Sequence, residues 1–254
     1  MRRWILTAAC VFVAAGTAFG ALGTVVGSFP IPGGNCAGLA RANAVLFSCN
    51  NMQGRIYLCN YLTGSITGSY SASGGIFASG LAYQYGRYLW QNQGIASPYY
   101  IYRKNAGTGS VINSYRLPPN RYTTGSAPLA TGDGGQGTSH IILSNFDLRR
   151  IFYMTTTGSI ARSHAVSQPL FDVAYDWRNR LIWGGRNSVT CYGYNTNGSL
   201  IASFNKPTGG IYGVTYHGEY LWVAGNTGYV YRIHCPGNLG VTPTSMGKIK
   251  AMFN

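Results

Sequence analysis

The chain repeats one four-part pattern five times, and the fifth copy is divided between its two ends. The fullest copy runs Gly80-Leu81-Ala82-Tyr83, Tyr88-Leu89-Trp90, Tyr100-Ile101-Tyr102, then Gly109-Ser110-Val111 with Ser114-Tyr115. Another reads Gly213-Val214-Thr215-Tyr216, Tyr220-Leu221-Trp222 and Tyr229-Val230-Tyr231, and has no fourth part. The missing part stands alone near the N-terminus, as Gly23-Thr24-Val25 and Ser28-Phe29. Aligned on the first part, Leu39, Leu81, Leu129, Val173 and Val214 fall in register at intervals of about 41–48 residues.

A period of that length, with four strand-like parts in each unit, predicts an all-β chain: a five-bladed β-propeller of four-stranded blades. The divided copy predicts that the last blade is closed by the N-terminal strand, which hides two sheet edges. Each part has a physical role. The first carries small residues suited to a crowded centre, as in Gly38-Leu39-Ala40 and Asp172-Val173-Ala174. The second centres on a bulky group that fills the space between sheets: Phe47, Trp90, Leu143, Trp183 and Trp222. The third carries Tyr57, Tyr102, Phe152, Tyr192 and Tyr231. The fourth follows a Gly-Ser turn and ends in Ser plus a ring: Ser69-Tyr70, Ser114-Tyr115, Ser163-His164 and Ser203-Phe204. Gly240 to Met246 offers a second way to close the ring, but Pro243 confines such a strand to an edge.

Residues 1–20 read as a secretory signal peptide, with Arg2-Arg3 before the apolar run Trp4 to Ala15 and Ala18-Phe19-Gly20 before the cleavage point. The run falls short of the ~20 residues that a membrane span needs, so no span is expected after cleavage. Residues 21–236 form the propeller and residues 237–254 a C-terminal tail. Export permits oxidation of Cys36, Cys49, Cys59, Cys191 and Cys235, so disulfides are expected, with one thiol left over and no pairing legible. The formal charge of +14 comes from 19 Lys and Arg against five acids, Asp133, Asp147, Asp172, Asp176 and Glu219. Such a surplus favours an extracellular glycan or other anionic polymer as partner.

With these residues in view, the Gly-Leu-Ala-Tyr, Tyr-Leu-Trp, Ile-Tyr and Thr-Gly-Ser phrases resemble those of secreted bacterial β-propeller repeat proteins. The ending Thr244-Ser245-Met246-Gly247-Lys248-Ile249-Lys250-Ala251-Met252-Phe253 is similar to the tails of such proteins. The resemblance covers nearly the whole mature chain and implies the propeller fold. It implies no activity, because one architecture serves lectins, hydrolases, lyases and scaffolds alike.

Catalytic signals are sparse. Glycoside hydrolysis needs two positioned carboxylates, and Asp172 alone is expected on an innermost strand, where other copies have Gly38, Gly80 and Gly213. Asp147, Asp176 and Glu219 read as turn residues. The four histidines are scattered and no Cys-x-x-Cys occurs, so no catalytic residues, metal or cofactor are assigned. The segment Thr131 to His140 reads as a glycine-rich surface loop. Binding is expected at the mouth of the channel, where loops offer Asn92, Gln93, Arg116, Arg121, Tyr122, Arg186, Asn187, Lys206 and Tyr212 around Asp172. Rings, guanidinium groups and amides suit sugars and anionic groups. The expected function is a secreted, non-enzymatic binding or assembly module at the cell surface or in the extracellular matrix. A self-associating structural subunit and a polysaccharide hydrolase or lyase are the alternatives; nucleic acid, for which no motif is present, ranks last.

Overall fold

The computed structural model describes residues 21–74, 78–84, 87–93, 99–117, 125–128, 140–237 and 239. The expected signal peptide at 1–20, Arg121, Tyr122, Leu129, the glycine-rich segment 131–139 and most of the tail lie outside the described residues. Strand β1 is Val25–Pro30. Blade 1 comprises β2 (Gly38–Ala42), β3 (Val45–Asn50), β4 (Arg55–Asn60) and β5 (Ile66–Ser71). Blade 2 comprises β6 (Ala78–Gln84), β7 (Tyr88–Gln93), β8 (Tyr100–Asn105) and β9 (Val111–Arg116). Blade 3 comprises β10 (Gly125–Pro128), β11 (His140–Asn145), β12 (Arg150–Thr155) and β13 (Ile160–Ala165). Blade 4 comprises β14 (Asp172–Asp176), β15 (Leu181–Gly185), β16 (Thr190–Asn195) and β17 (Leu200–Asn205). Blade 5 comprises β18 (Gly213–His217), β19 (Tyr220–Ala224) and β20 (Tyr229–His234), completed by β1.

All neighbours within a blade are antiparallel. The innermost strands touch in sequence, β2 to β6, β10, β14, β18 and back to β2, which closes the ring. Strand β1 pairs with β20 as expected, Ser28 opposite Tyr231 and Phe29 opposite Val230. One face carries the loops that enter the innermost strands and those that join second to third strands; this is the mouth. The opposite face carries the remaining turns and both ends of the ring. There the Gly23 amide donates to the His234 carbonyl at 3.1 Å, and Asn179 Nδ2 donates to the Pro236 carbonyl at 2.9 Å.

Apolar burial is divided among five seams between adjacent blades. Trp222 packs with Leu39, Leu46 and Cys59, Phe47 with Leu81 and Leu89, and Trp90 with Leu143 and Phe152. Ile142 packs with Val173 and Ile182, and Trp183 with Val214 and Leu221. Each such side chain contributes about 1.5–3 kcal/mol by leaving water.

The fourth part of the repeat supplies a second link between blades. The ring that ends each outer strand lies under the turn glycine of the next blade. Phe29 meets Gly64 across the closing seam, Tyr70 meets Gly109, Tyr115 meets Gly158, and Phe204 meets Gly23. His164, with the Ala165 carbonyl, meets Gly198 in the same way. These glycines all have positive φ, from +73° to +94°. The glycine and the aromatic of neighbouring copies are therefore one device: the turn needs φ > 0, and the ring fills the space that a Cβ would take.

Two sequence expectations are corrected. In blade 3, Ser126 and Ala127 lie opposite Leu143 and Ile142, as Leu39 and Ala40 lie opposite Ser48 and Phe47 in blade 1, so Ser126 takes the register given to Leu129. Ile142, opposite Tyr153, holds the position of Phe47, Trp90, Trp183 and Trp222, and Leu143 faces back towards Trp90. Strand β11 is buried on both faces, so no polar alternation marks its register. The five cysteines form no disulfide; all are buried free thiols. Each acts as a small apolar group inside a seam, Cys36 and Cys59 between blades 5 and 1, Cys49 between blades 1 and 2, and Cys191 and Cys235 between blades 4 and 5.

Gly109→Ala is expected to cost ~2 kcal/mol or more, because the left-handed backbone alone costs ~1–2 kcal/mol and the new Cβ overlaps the Tyr70 ring. Thermal unfolding should fall by roughly 4–8 °C, whereas Gly68→Ala, with nothing within 4 Å, should leave it unchanged. The thiols make a second expectation. Burial pushes Cys36 from the ordinary 9.0 up to about 12 and Cys59 up to about 11. The folded state thus holds these protons more tightly than the unfolded chain, an advantage complete below pH ~9 and lost as pH rises through 11 to 12. Chemical denaturation midpoints should fall over that window, and a thiol reagent at pH 8 should label the propeller's cysteines only after unfolding.

Candidate binding face at the channel mouth

The centre of the ring is narrow at the mouth end. An added Cβ at Gly38 would lie 2.7 Å from the Gly80 backbone, so inner-strand backbones meet there directly. Blade 4 places Asp172 at this level, with 0% exposure. Its Oδ2 accepts from the Leu39 amide of blade 1 at 3.1 Å and from the Val214 amide of blade 5 at 3.0 Å. A carboxylate replaces glycine in one blade and ties it to two others. Its position on an innermost strand matches the sequence expectation, but it is enclosed and committed to backbone amides.

The other acids lie apart from it. Asp176, also fully buried, ends the same strand. Four residues along a strand separate their Cα atoms by about 13 Å, beyond the ~5–9.5 Å between carboxyl groups in glycosidase pairs. The Asp176 carboxylate accepts from the amides of Arg178 and Asn179, from Asn179 Nδ2 at 2.7 Å and from Trp183 Nε1 at 3.3 Å. Glu219 pairs with Arg178 at 2.8 Å on the opposite face, and Asp147 is exposed on a mouth loop of blade 3. Among the described residues, no three or more His, Cys, Asp or Glu side chains are grouped to hold a metal ion.

Three rings lie in line across the mouth of blades 3 to 5. Phe146 stacks on Phe171 with centroids 4.3 Å apart and planes 16° apart, and Phe171 lies 4.6 Å from Tyr212 at 31°. All three are half-buried. Phe171 and Tyr212 each precede the first residue of an innermost strand, where blade 1 has Ala37. Phe146 and Phe171 were not singled out from the sequence; their signal is a bulky ring at positions where another copy is small or polar. Beside Tyr212 run Arg186 and Asn187: the Ile211 amide donates to the Arg186 carbonyl at 2.8 Å, and Asn187 Oδ1 lies over Gly210.

Lys206 belongs to the same group and departs most from the repeat. Its amide donates to the Val189 carbonyl, as those of Ile31, Ala72, Leu117 and Val166 do to equivalent loops of the other blades. All four of those residues are buried and apolar. Lys206 is 2% exposed, its Nζ has no hydrogen-bond partner, and it lies 5.7 Å from the centre of the Tyr231 ring. Burial pushes its amine down to about 8. Ser188 Oγ and Thr227 Oγ1, on the adjoining loops, are buried and without partners too. Lys104, also buried where other blades are apolar, is fully engaged: Nζ donates to the Ser71 carbonyl at 3.0 Å and to Gln91 Oε1 at 3.2 Å.

The remaining predicted residues sit elsewhere on the mouth side. Asn92 is 0% exposed within β7 and both amide atoms lack partners among the described residues. Gln93 accepts from the Tyr102 hydroxyl at 3.0 Å. Arg116 is exposed at the end of β9, opposite Tyr100. Arg186, Asn187, Lys206 and Tyr212 thus lie on two adjoining mouth loops, joined by the Ile211–Arg186 and Lys206–Val189 backbone bonds, whereas Asn92, Gln93 and Arg116 lie on blade 2.

Five four-stranded blades around a narrow centre, the last completed by the first strand of the chain, define a five-bladed β-propeller. Among solved structures the chain is similar to Myxococcus xanthus glutaminyl cyclase, with a TM-score of 0.66 and 13% identity over 83% of this chain and 95% of that one. It is also similar to the WD40 β-propeller domain of Doa1, with a TM-score of 0.51 and 16% identity over 78% of this chain and 63% of that one. No protein-family model matches the chain, and no curated protein matches it in sequence. At these identities the likeness is one of fold.

Removing the Asp172 carboxylate strands two buried amides at ~1–3 kcal/mol each. Asp172→Ala should therefore lose roughly 2–5 kcal/mol in chemical denaturation, with faster hydrogen exchange at Leu39 and Val214.

Proposed function

We propose that the protein is a non-catalytic binding module whose mouth, on the side of blades 4 and 5, takes an acidic glycan or similar anionic polymer. Lys206 carries this reading. A charged amine occupies a slot that is apolar in every other blade, its Nζ has no hydrogen-bond partner among the described residues, and it begins the loop that runs on to Tyr212. Rings such as Phe146, Phe171 and Tyr212 accept the apolar faces of sugars, and the half-buried Arg186 supplies charge for acidic substituents, with the buried Lys206 amine adding positive potential behind the loop. The net charge of +14, of which Arg2 and Arg3 in the expected leader supply only two, adds long-range attraction for a polyanion. Export by the 1–20 leader would place the module at the cell surface or in the extracellular matrix. The enclosure of Asp172 argues against using it as a hydrolase or lyase acid. Likeness to a glutaminyl cyclase at 13% identity carries no chemistry across.

A glycan array and a heparin-type column run at graded salt test the proposal. The wild-type chain should be retained and should elute earlier as screening rises. Lys206→Leu, which installs the residue used at Leu117, should fold normally and weaken binding roughly 3–10-fold, as should Tyr212→Ala. Failure to bind any surface polymer, or unchanged retention of both variants, would overturn it.

A further inference from the structure

The first and last blades meet at a seam that differs from the other four. The third residue position after the first-strand Gly or Asp is tyrosine in three blades, as Tyr83, Tyr175 and Tyr216, and arginine in blade 1, as Arg41. Tyr83 stacks against Phe47 of the preceding blade at 6.0 Å. Arg41 takes the corresponding place against Trp222 of blade 5, its guanidinium 4.3 Å from that ring and 4.1 Å from the Tyr61 ring.

Blade 5 presents a second guanidinium to the same space. Arg232 lies opposite Trp222 in the sheet, on the face turned to blade 1, with its guanidinium 5.2 Å from the Tyr220 ring. In blade 2 the equivalent cation, Arg103, faces Asn113, whose amide oxygen in its hydrogen-bonded orientation accepts from Nη2 at 3.1 Å. Arg232 instead faces Gly27, which offers no side-chain acceptor. Arg41 is pushed down to about 10, by burial first and by the nearby charge of Arg232 besides. Among the described residues the buried Nε atoms of both have no hydrogen-bond partner, nor does Nδ1 of His234, whose ring is 5.9 Å from Tyr220 and which is 7% exposed. Among the described residues, neither guanidinium has a carboxylate partner. Three nitrogen-bearing side chains thus converge on one seam with donors to spare and nothing negative to receive them.

We propose that the seam between blades 5 and 1 is an oxyanion site, in which Arg41 and Arg232, with His234 behind them, hold a sulfate or phosphate group that neutralises the two facing cations. The site lies towards the face opposite the mouth and is independent of the glycan reading. Guanidinium forks suit tetrahedral oxyanions because they donate two parallel hydrogen bonds. The bound group would bridge the seam that closes the ring, so its occupancy should be read as stability.

The test is thermal unfolding of the full chain in sulfate or inorganic phosphate up to ~20 mM, against chloride of equal ionic strength, with a sulfated oligosaccharide as a further arm. At such concentrations, general exclusion of sulfate from the surface is slight. The wild-type chain should show a saturable rise of several degrees. Arg41→Tyr, which restores the residue of three other blades, and Arg232→Leu, which copies Leu58, should each fold by circular dichroism and lose the rise. Lys206→Leu and Tyr212→Ala should keep it. A rise with free ions marks a small-ion site; a rise with the oligosaccharide alone marks a polymer-borne group. Absence of a saturable rise in every arm, or its retention in either arginine variant, would overturn the proposal.

Discussion

Everything in this ring depends on the backbone ladder between β1 and β20. Without it blade 5 has three strands, the Gly23 turn has no sheet to sit on, and Phe204 loses the glycine that covers it. The ladder is also the least local contact in the fold, joining residues near position 25 to residues near 233. Loop closure over such a span is costly in entropy, so the closing strand cannot rest on hydrogen bonds alone. Phe29 supplies the remainder: it is buried in the seam with Leu39 and Trp222, and its ring lies under Gly64 of blade 1. One strand therefore holds both neighbours of the closing seam.

A second constraint concerns charge. Nineteen cations share the chain with five acids, so carboxylates cannot neutralise most of them. Aromatic faces receive several of them instead. Arg41, Arg103, Lys104, Arg162, Lys206 and Arg232 all lie over tyrosine or tryptophan rings. Each such contact is worth roughly 0.5–2 kcal/mol, more where water is excluded. The 20 tyrosines thus do more than fill seams. A ring face does not neutralise a cation, though, and leaves its N–H donors unsatisfied. That is why the two places singled out for ligands, at Lys206 and at Arg41 with Arg232, are both cation–ring contacts with unpartnered nitrogen.

Much of the architecture was legible because the repeat is a set of coupled requirements. A Gly-Ser turn implies an outer strand, the outer strand ends in a ring, and the ring needs the next glycine. The divided copy gave the closure by the same logic. Blade 3 misled because β11 is apolar on both faces and Leu129 imitates Leu39; the pairing of Ser126 with Leu143 depends on contacts that no local pattern encodes. The cysteines misled because count and compartment suggest pairing, whereas their place in the seams follows from packing. At the mouth, loop position was enough to put Lys206, Arg186, Asn187 and Tyr212 on the face where the fold places them. Asn92 came from the same reasoning yet is enclosed, since alternation cannot tell a residue at the end of a strand from one in a seam. Phe146 and Phe171 escaped notice because aromatics are common in the repeat and only their stacking makes them distinct.

Both ends of the ring leave on the face opposite the mouth, beside the Gly23 turn and beside Asn179. Anything joined to either end, whether a lipid, a surface or a second ring, turns the mouth outward by default. Rings tethered side by side in this way would present parallel mouths to one polymer. Weak single contacts would then add as avidity, set by spacing and tether length.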